Sequence, residues 1–218
     1  MDNNLREFWN KKDSNKFDSR VISTGRIEAL NRIAEIAEPY LSQENTLSLD
    51  LGCGTGLFAE IAGRRNIVGV DFASSLLISA RSRMDTVWEC SISDLKLDDN
   101  SVDNILLLFV IDEYGADRKR MFLKQLFMYL KPGGRLFYTA YTPIDERMNK
   151  LREDMNKKGN SQIDIVLEEL SVHEDRMCEC GFNIESSEII RTMGQYEMGQ
   201  GETIEQKREF IIIHASKQ

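Results

Sequence analysis

The chain has 218 residues, 41% hydrophobic and 29% charged, with a formal net charge of −8. That length supports one domain with a sizeable core, and the composition is that of an ordered soluble protein. The acidic balance disfavours long nucleic acids, DNA above all, because their binding surfaces are basic.

No apolar run approaches the roughly 18 residues of a membrane-spanning helix. The start, MDNNLREFWNKKD, is too polar for a secretory signal. A cytoplasmic protein with no membrane partner is expected. The four cysteines, Cys53, Cys90, Cys178 and Cys180, match neither a disulfide framework nor a zinc site with two ligand pairs, so no metal is expected.

From Val21 to Tyr40, apolar residues recur at Ile27, Leu30, Ile33, Ala34 and Ala37, a helical stripe that Pro39 should end. TLSLDL then reads as a strand, GCGTG as a turn and LFAEIAGR as a helix. NIVGVDF and ASSLLISARSRM repeat strand and helix, and TVWECSI is a third strand. ILLLFVI is apolar throughout, as a strand buried on both faces should be. Asp117 to Leu130 is helical, KPGG is a turn, and RLFYTAY is a fifth strand.

This alternation predicts an α/β fold, a doubly wound and mostly parallel sheet with helices on both faces. Beyond Thr142 the rhythm changes. Ile144 to Lys158 reads as a charged helix, and Ile163 to Cys180 as another closed by Gly181. NIESSEII and KREFIIIHAS are two late strands with antiparallel pairing, which makes a seven-stranded sheet.

The loop in LDLGCGTG lets a ligand approach the backbone closely, at the strand ends where such sheets bind ligands. Its glycines, Gly52, Gly54 and Gly56, are spaced G-x-G-x-G. A dinucleotide fingerprint is G-x-G-x-x-G, and a phosphate loop ends in Gly-Lys-Ser/Thr. Asp50, two residues before Gly52, would repel a phosphate but suits a ligand bearing ammonium and sulfonium charge. Asp71, at the end of NIVGVD, can accept hydrogen bonds from ribose hydroxyls. Acid, glycines and acid together match S-adenosylmethionine.

LDLGCGTG, VGVDFA, DNSVDNILLLFVI and LKPGGRLFYT, in that order over about Leu47 to Thr142, resemble the class I S-adenosylmethionine-dependent methyltransferases of small-molecule type. The resemblance implies a Rossmann-like sheet whose last strand is antiparallel. It implies S-adenosylmethionine as cofactor, with S-adenosylhomocysteine as product. Gly52, Cys53, Gly54 and Gly56 would lie against the methionyl part, with Asp50 near its amino group. Asp71 would bind the ribose and Phe72 would lie beside the adenine. Where the family has Gly-Asp-Ala, this chain has Cys90-Ser91-Ile92, so Ser91 and Ile92 would make the adenine contacts. Leu108 and Phe109 would line the pocket near the methyl group.

The family's Asn/Asp-Pro-Pro-Tyr/Phe motif for planar amino groups is replaced by LLLFVIDEY, which argues against DNA and protein glutamine as acceptors. Asp112 and Glu113 read either as a base for the acceptor or as acids at a helix start. REFWNKKDSNKFDSR resembles an aromatic N-terminal lid, with Trp9, Phe17 and Arg20 as acceptor-site candidates beside Tyr114 and Tyr141. His173 and His214 read as structural.

The expected protein is a single methyltransferase domain: a helical lid (1–46), a cofactor core (47–142) and C-terminal helices and strands (143–218). It would act on oxygen, nitrogen or carbon of a small-molecule metabolite, as a monomer or homodimer. The alternatives are a protein or RNA methyltransferase, a non-catalytic cofactor-binding protein, or an NAD-dependent reductase.

Overall fold

The computed structural model describes residues 3–157, 166–198 and 202–218; the side chains of residues 3–6, 113, 154–157 and 198 lie outside the description. Three helices come first: α1 (Asn3–Asn10), α2 (Ser14–Ser23) and α3 (Arg26–Leu41). The alternating part follows as β1 (Ser48–Leu51), α4 (Leu57–Ile61), β2 (Val68–Asp71), α5 (Ser74–Arg83), β3 (Thr86–Glu89), β4 (Val102–Leu108), α6 (Ala116–Tyr129) and β5 (Leu130–Tyr141). The chain closes with α7 (Glu146–Lys157), α8 (Leu170–Glu179), β6 (Phe182–Met198) and β7 (Glu202–Lys217).

The strands form one seven-stranded sheet in the order β3-β2-β1-β4-β5-β7-β6. β1 pairs in parallel with β2 and β4, and β4 with β5, whereas β7 runs antiparallel to both β5 and β6. The order reverses between β1 and β4, so the crevice at their carboxyl ends is the expected ligand position.

Alternation along the strands builds a core on each face. Ile105, Leu107, Leu136 and Tyr138 pack with Met177 of α8 on one face. Leu106, Leu108 and Phe137 pack with Ala29 and Ile33 of α3 on the other.

Four expectations change. The stripe from Val21 is broken at Thr24–Gly25, where Gly25 takes φ +75° and starts α3. Pro39 does not end the helix: it sits in the last turn of α3, where its missing N–H forfeits one bond only. β4 stops at Leu108, because Phe109 turns to φ +59° and a 3-10 turn follows at Ile111–Glu113. The helix expected from Ile163 begins at Leu170, since the Val166 N–H donates to the Asp112 carbonyl (3.1 Å) and its carbonyl accepts from Lys119 Nζ (2.7 Å). Residues 163–165 lie outside the described residues.

KPGG bulges between Leu130, opposite Val102, and Arg135, opposite Asn104. Among the described residues no helix is long and apolar enough to cross a membrane. The late strands are much longer than NIESSEII and KREFIIIHAS: β6 and β7 pair from Phe182↔Lys217 to Met198↔Glu202. β7 meets β5 only over Phe210–Ser216, so the outer half of the hairpin is a two-stranded ribbon beyond the sheet.

Candidate functional site

A cleft opens at the carboxyl ends of β1, β2 and β4, under α1 and α2. The glycine loop forms its floor. Gly52, Gly54 and Gly56 all take positive φ, +82°, +53° and +73°, and the Gly52 and Cys53 N–H groups both donate to the Val70 carbonyl (2.7 and 3.2 Å). Gly52 has a second reason to lack a side chain: a Cβ there would stand 2.4 Å from Val110 Cγ2. Gly52→Ala is therefore expected to strain the left-handed turn by about 1–2 kcal/mol and to push Val110 into the cleft. A lowered melting temperature together with weakened ligand binding in a titration would show it; an unchanged pair would refute the close approach.

The two predicted acids differ in their surroundings. Asp71 is buried, and each carboxylate oxygen accepts a backbone hydrogen bond: Oδ2 from Gly54 N–H (2.9 Å) and Oδ1 from Ala73 N–H (2.8 Å). Burial raises its pKa while these bonds oppose the rise. Asp71 thus braces the glycine loop.

Asp50 is 2% exposed, lines the cleft, and accepts no hydrogen bond from any described residue. Burial, with the Asp71 charge in second place, pushes its pKa up to about 7. A buried carboxylate without a donor is costly. A cation delivered by a ligand would satisfy it.

Phe72, Ile92, Leu108, Phe109, Cys53 and Gly54 line the cleft, and so do Trp9, Phe17 and Tyr114. Phe109 holds an unusual positive φ for a bulky residue, fixed by its N–H to Thr139 Oγ1 (2.8 Å). Burial keeps the Cys53 thiol well above its usual pKa, so it remains neutral.

Four candidates stand elsewhere. Gly56 packs against Ala80 and Met84 rather than facing the cleft. Ser91 caps a 3-10 turn, its Oγ accepting from Ser93 N–H (3.3 Å). Arg20 is exposed at the end of α2. Tyr141 is buried among Phe109 and Phe210 (ring centroids 5.1 and 5.7 Å).

Asp112 is also buried; Oδ2 accepts from Tyr141 N–H (3.1 Å), and Oδ1 has no partner among the described residues. Burial is the main cause of its pKa near 7. It is not the helix cap, since Gly115 holds that position on α6. The Glu113 side chain lies outside the described residues.

His173 bonds the Tyr138 hydroxyl through Nδ1 (2.6 Å), and His214 stacks on Phe137 (4.9 Å); neither lines the cleft. Among the described residues no cluster of three or more His, Cys, Asp or Glu comes together as metal ligands would.

Sequence reasoning missed Arg26. It is half-buried, lines the cleft, lies over the Phe17 ring (5.6 Å) and has no carboxylate partner among the described residues. Thr55 was also missed. Its hydroxyl donates to Asp18 Oδ1 (2.6 Å), whose Oδ2 pairs with Arg83 (2.6 Å), tying α2 to the glycine loop. α1 is tied beside it, with Ser75 Oγ donating to the Trp9 carbonyl (3.5 Å). No local pattern marks either residue, because each acquires its meaning from elements distant in sequence.

Residues 49–138 match a family described as a methyltransferase domain. The human protein named "Probable tRNA methyltransferase 9B" is 25% identical over 146 residues, 66% of this chain and 32% of that protein. A carboxy-S-adenosyl-L-methionine synthase of Desulforapulum autotrophicum is 26% identical over 191 residues, 72% of this chain and 74% of that protein. The chain spans about a third or less of the length of the first curated relatives it matches. Among solved structures, a SAM-dependent methyltransferase from Thermotoga maritima superposes with a TM-score of 0.62 at 19% identity, covering 98% of this chain and 100% of that one.

Proposed function

We infer, from a methyltransferase domain at residues 49–138 on the class I methyltransferase fold, that this chain is an S-adenosylmethionine-dependent methyltransferase acting on a small molecule. One observation carries the reading: Asp50, buried in the cleft without a hydrogen-bond donor among the described residues, needs a cation. Arg26, on the same cleft and without a carboxylate partner among those residues, needs an anion. A ligand with an amino-acid end satisfies both.

On this reading Asp50 holds the amino group and Arg26 the carboxylate, while Gly52 and Gly54 let the chain pass close by. Asp71 offers its carboxylate to the ribose, and Phe72 and Ile92 flank the adenine. When bound, S-adenosylmethionine supplies a methyl group already activated by its sulfonium. The protein's task is then alignment and exclusion of water, with a base required only for an acceptor that is protonated at working pH. Phe109, Trp9, Phe17 and Tyr114 supply an apolar wall suited to that task. Within the N-terminal segment 1–46, α1 and α2 act as lid; residues 47–142 hold the cofactor, and 143–218 supply C-terminal helices and strands.

The relatives named as tRNA methyltransferases favour an RNA acceptor as the second reading. Against it stand the net charge of −8 and a cleft in which Arg26 is the one basic side chain among the described lining residues.

Two experiments decide. Calorimetric titration with S-adenosylhomocysteine should give binding near about 1 μM, some 8 kcal/mol, while NADH gives no heat; the reverse would sink the cofactor. Incubation with methyl-labelled S-adenosylmethionine and either a low-mass cell extract or bulk tRNA should label the low-mass fraction. Label in the tRNA instead would overturn the acceptor class.

A further inference from the structure

We propose that Arg208 is a positioning residue that fixes the lid helices α1 and α2 over the cleft by holding the joint between α2 and α3; the link to catalysis rests on the cofactor reading above. α2 carries Phe17 and Val21 into the cleft, whereas α3 belongs to the core, with Ala29 and Ile33 fully buried. The lid therefore leaves the core at Thr24–Gly25, where Gly25 has φ +75°.

The β6–β7 ribbon grips this joint. Arg208 Nη1 donates to the Thr24 carbonyl at 3.1 Å. Gly194 packs so closely that a Cβ there would stand 2.9 Å from the same oxygen, and a Cβ on Gly25 would meet Thr192 Cγ2 at 2.6 Å.

Arg208 is 2% exposed and reaches further than the joint. Its Nε donates to Asp145 Oδ2 (2.7 Å), and Nη1 also bonds the Tyr196 hydroxyl. The guanidinium lies over Tyr141 and Phe210 (5.3 and 5.0 Å), and both of those rings touch Phe109 in the cleft wall (5.1 and 5.4 Å). One side chain thus bears on the lid joint and on the back of the cleft wall.

Asp145 separates the structural part from the positioning part. It is fully buried, caps α7 through Met148 N–H (2.9 Å), and pairs with Arg208 through Nε. That pair needs only a cation. The bond to Thr24 needs the second arm of the guanidinium fork, which a lysine's single ammonium lacks.

The test uses Trp9, on α1, as reporter. The chain has two tryptophans, so a Trp88→Phe background leaves Trp9 alone, and Trp88 lies on the far edge strand β3. In that background Arg208→Lys should melt within a few degrees of its parent. Acrylamide should quench Trp9 several-fold more readily in the variant, and S-adenosylhomocysteine should bind about tenfold more weakly.

Native quenching and native affinity in a folded Arg208→Lys protein would overturn the proposal. Should that variant fail to fold, the double variant Asp145→Asn/Arg208→Gln removes both charges together and is read in the same way. If the parent binds no S-adenosylhomocysteine, the cofactor reading falls, while the quenching difference still decides whether Arg208 holds the lid.

Discussion

Asp50→Asn will melt at a higher temperature than the native protein and will have lost most of its affinity for S-adenosylhomocysteine. Both effects come from one cause. Burial, with the Asp71 charge added, lifts the Asp50 pKa from 3.8 to about 7. Between those two pH values the folded chain keeps a proton that the unfolded chain has released. Stability therefore falls as pH rises through this window, and above it the native protein carries the whole penalty, a few kcal/mol.

Asparagine cannot ionise, so the variant escapes the penalty and gains several degrees. It also has no charge with which to hold an ammonium group, and loses roughly ten- to hundredfold in affinity. Native binding should weaken as pH drops below about 7, because the acid must ionise to bind a cation. Binding to the variant should be flat over the same range. Thermal melts and titrations at several pH values check both halves. Unchanged affinity in Asp50→Asn, or a lower melting temperature, would remove Asp50 from the cofactor site.

Glu168→Gln is the most damaging single change expected away from the cleft. Glu168 joins Lys119 Nζ (2.8 Å) to both terminal nitrogens of Arg176 (2.8 and 2.5 Å), and Lys119 is fully buried. Taking one member from a buried ion network leaves the others uncompensated, at a cost of about 3–5 kcal/mol. For a chain of this size that lowers the melting temperature by roughly 10 °C.

Burial alone would raise the Glu168 pKa, but Arg176 and Lys119 override it and hold the acid at about 2, against 4.5 when free. The stabilisation is complete above pH 4.5 and is lost as pH falls towards 2. Melting curves of native and variant proteins should therefore converge in acid. The double change Lys119→Met/Glu168→Met should recover much of the loss, because no charge is then stranded. A single variant that melts like the native protein at neutral pH would show that the network contributes nothing.

The residues of the proposed cofactor cleft are legible in the sequence because they are local. Asp50, Gly52 and Gly54 fall within five residues, and Asp71 ends the next strand, so spacing alone placed them together. The sheet was legible for a similar reason: strands with apolar runs and turns between them have only one sensible winding. What stayed hidden depends on contacts across the chain. Tyr141, expected at the acceptor pocket, is drawn into the core by Phe210 and Arg208.

Arg26 falls inside the helical stretch expected from Val21, and only the break at Thr24–Gly25 sets it at the start of α3 on the cleft. The stretch after Ile163 has helical periodicity, yet Val166 serves Asp112 and Lys119 with its backbone groups and the helix begins only at Leu170. ILLLFVI reads as continuous strand, but Thr139 on β5 takes the Phe109 N–H and turns the chain aside.

The bond from Arg208 to Thr24 joins positions 184 residues apart, and this has a consequence for how the protein is made. A growing chain exposes the lid helices, the glycine loop and both aspartates long before Arg208 is synthesised. The joint under the lid stays unclamped until β7 has been made and has slotted between β5 and β6. Contacts of such long sequence separation form late and slowly. A chain synthesised only as far as β6 therefore carries Asp50, Asp71 and the glycine loop without the clamp, and the joint under the lid closes only once β7 is in place.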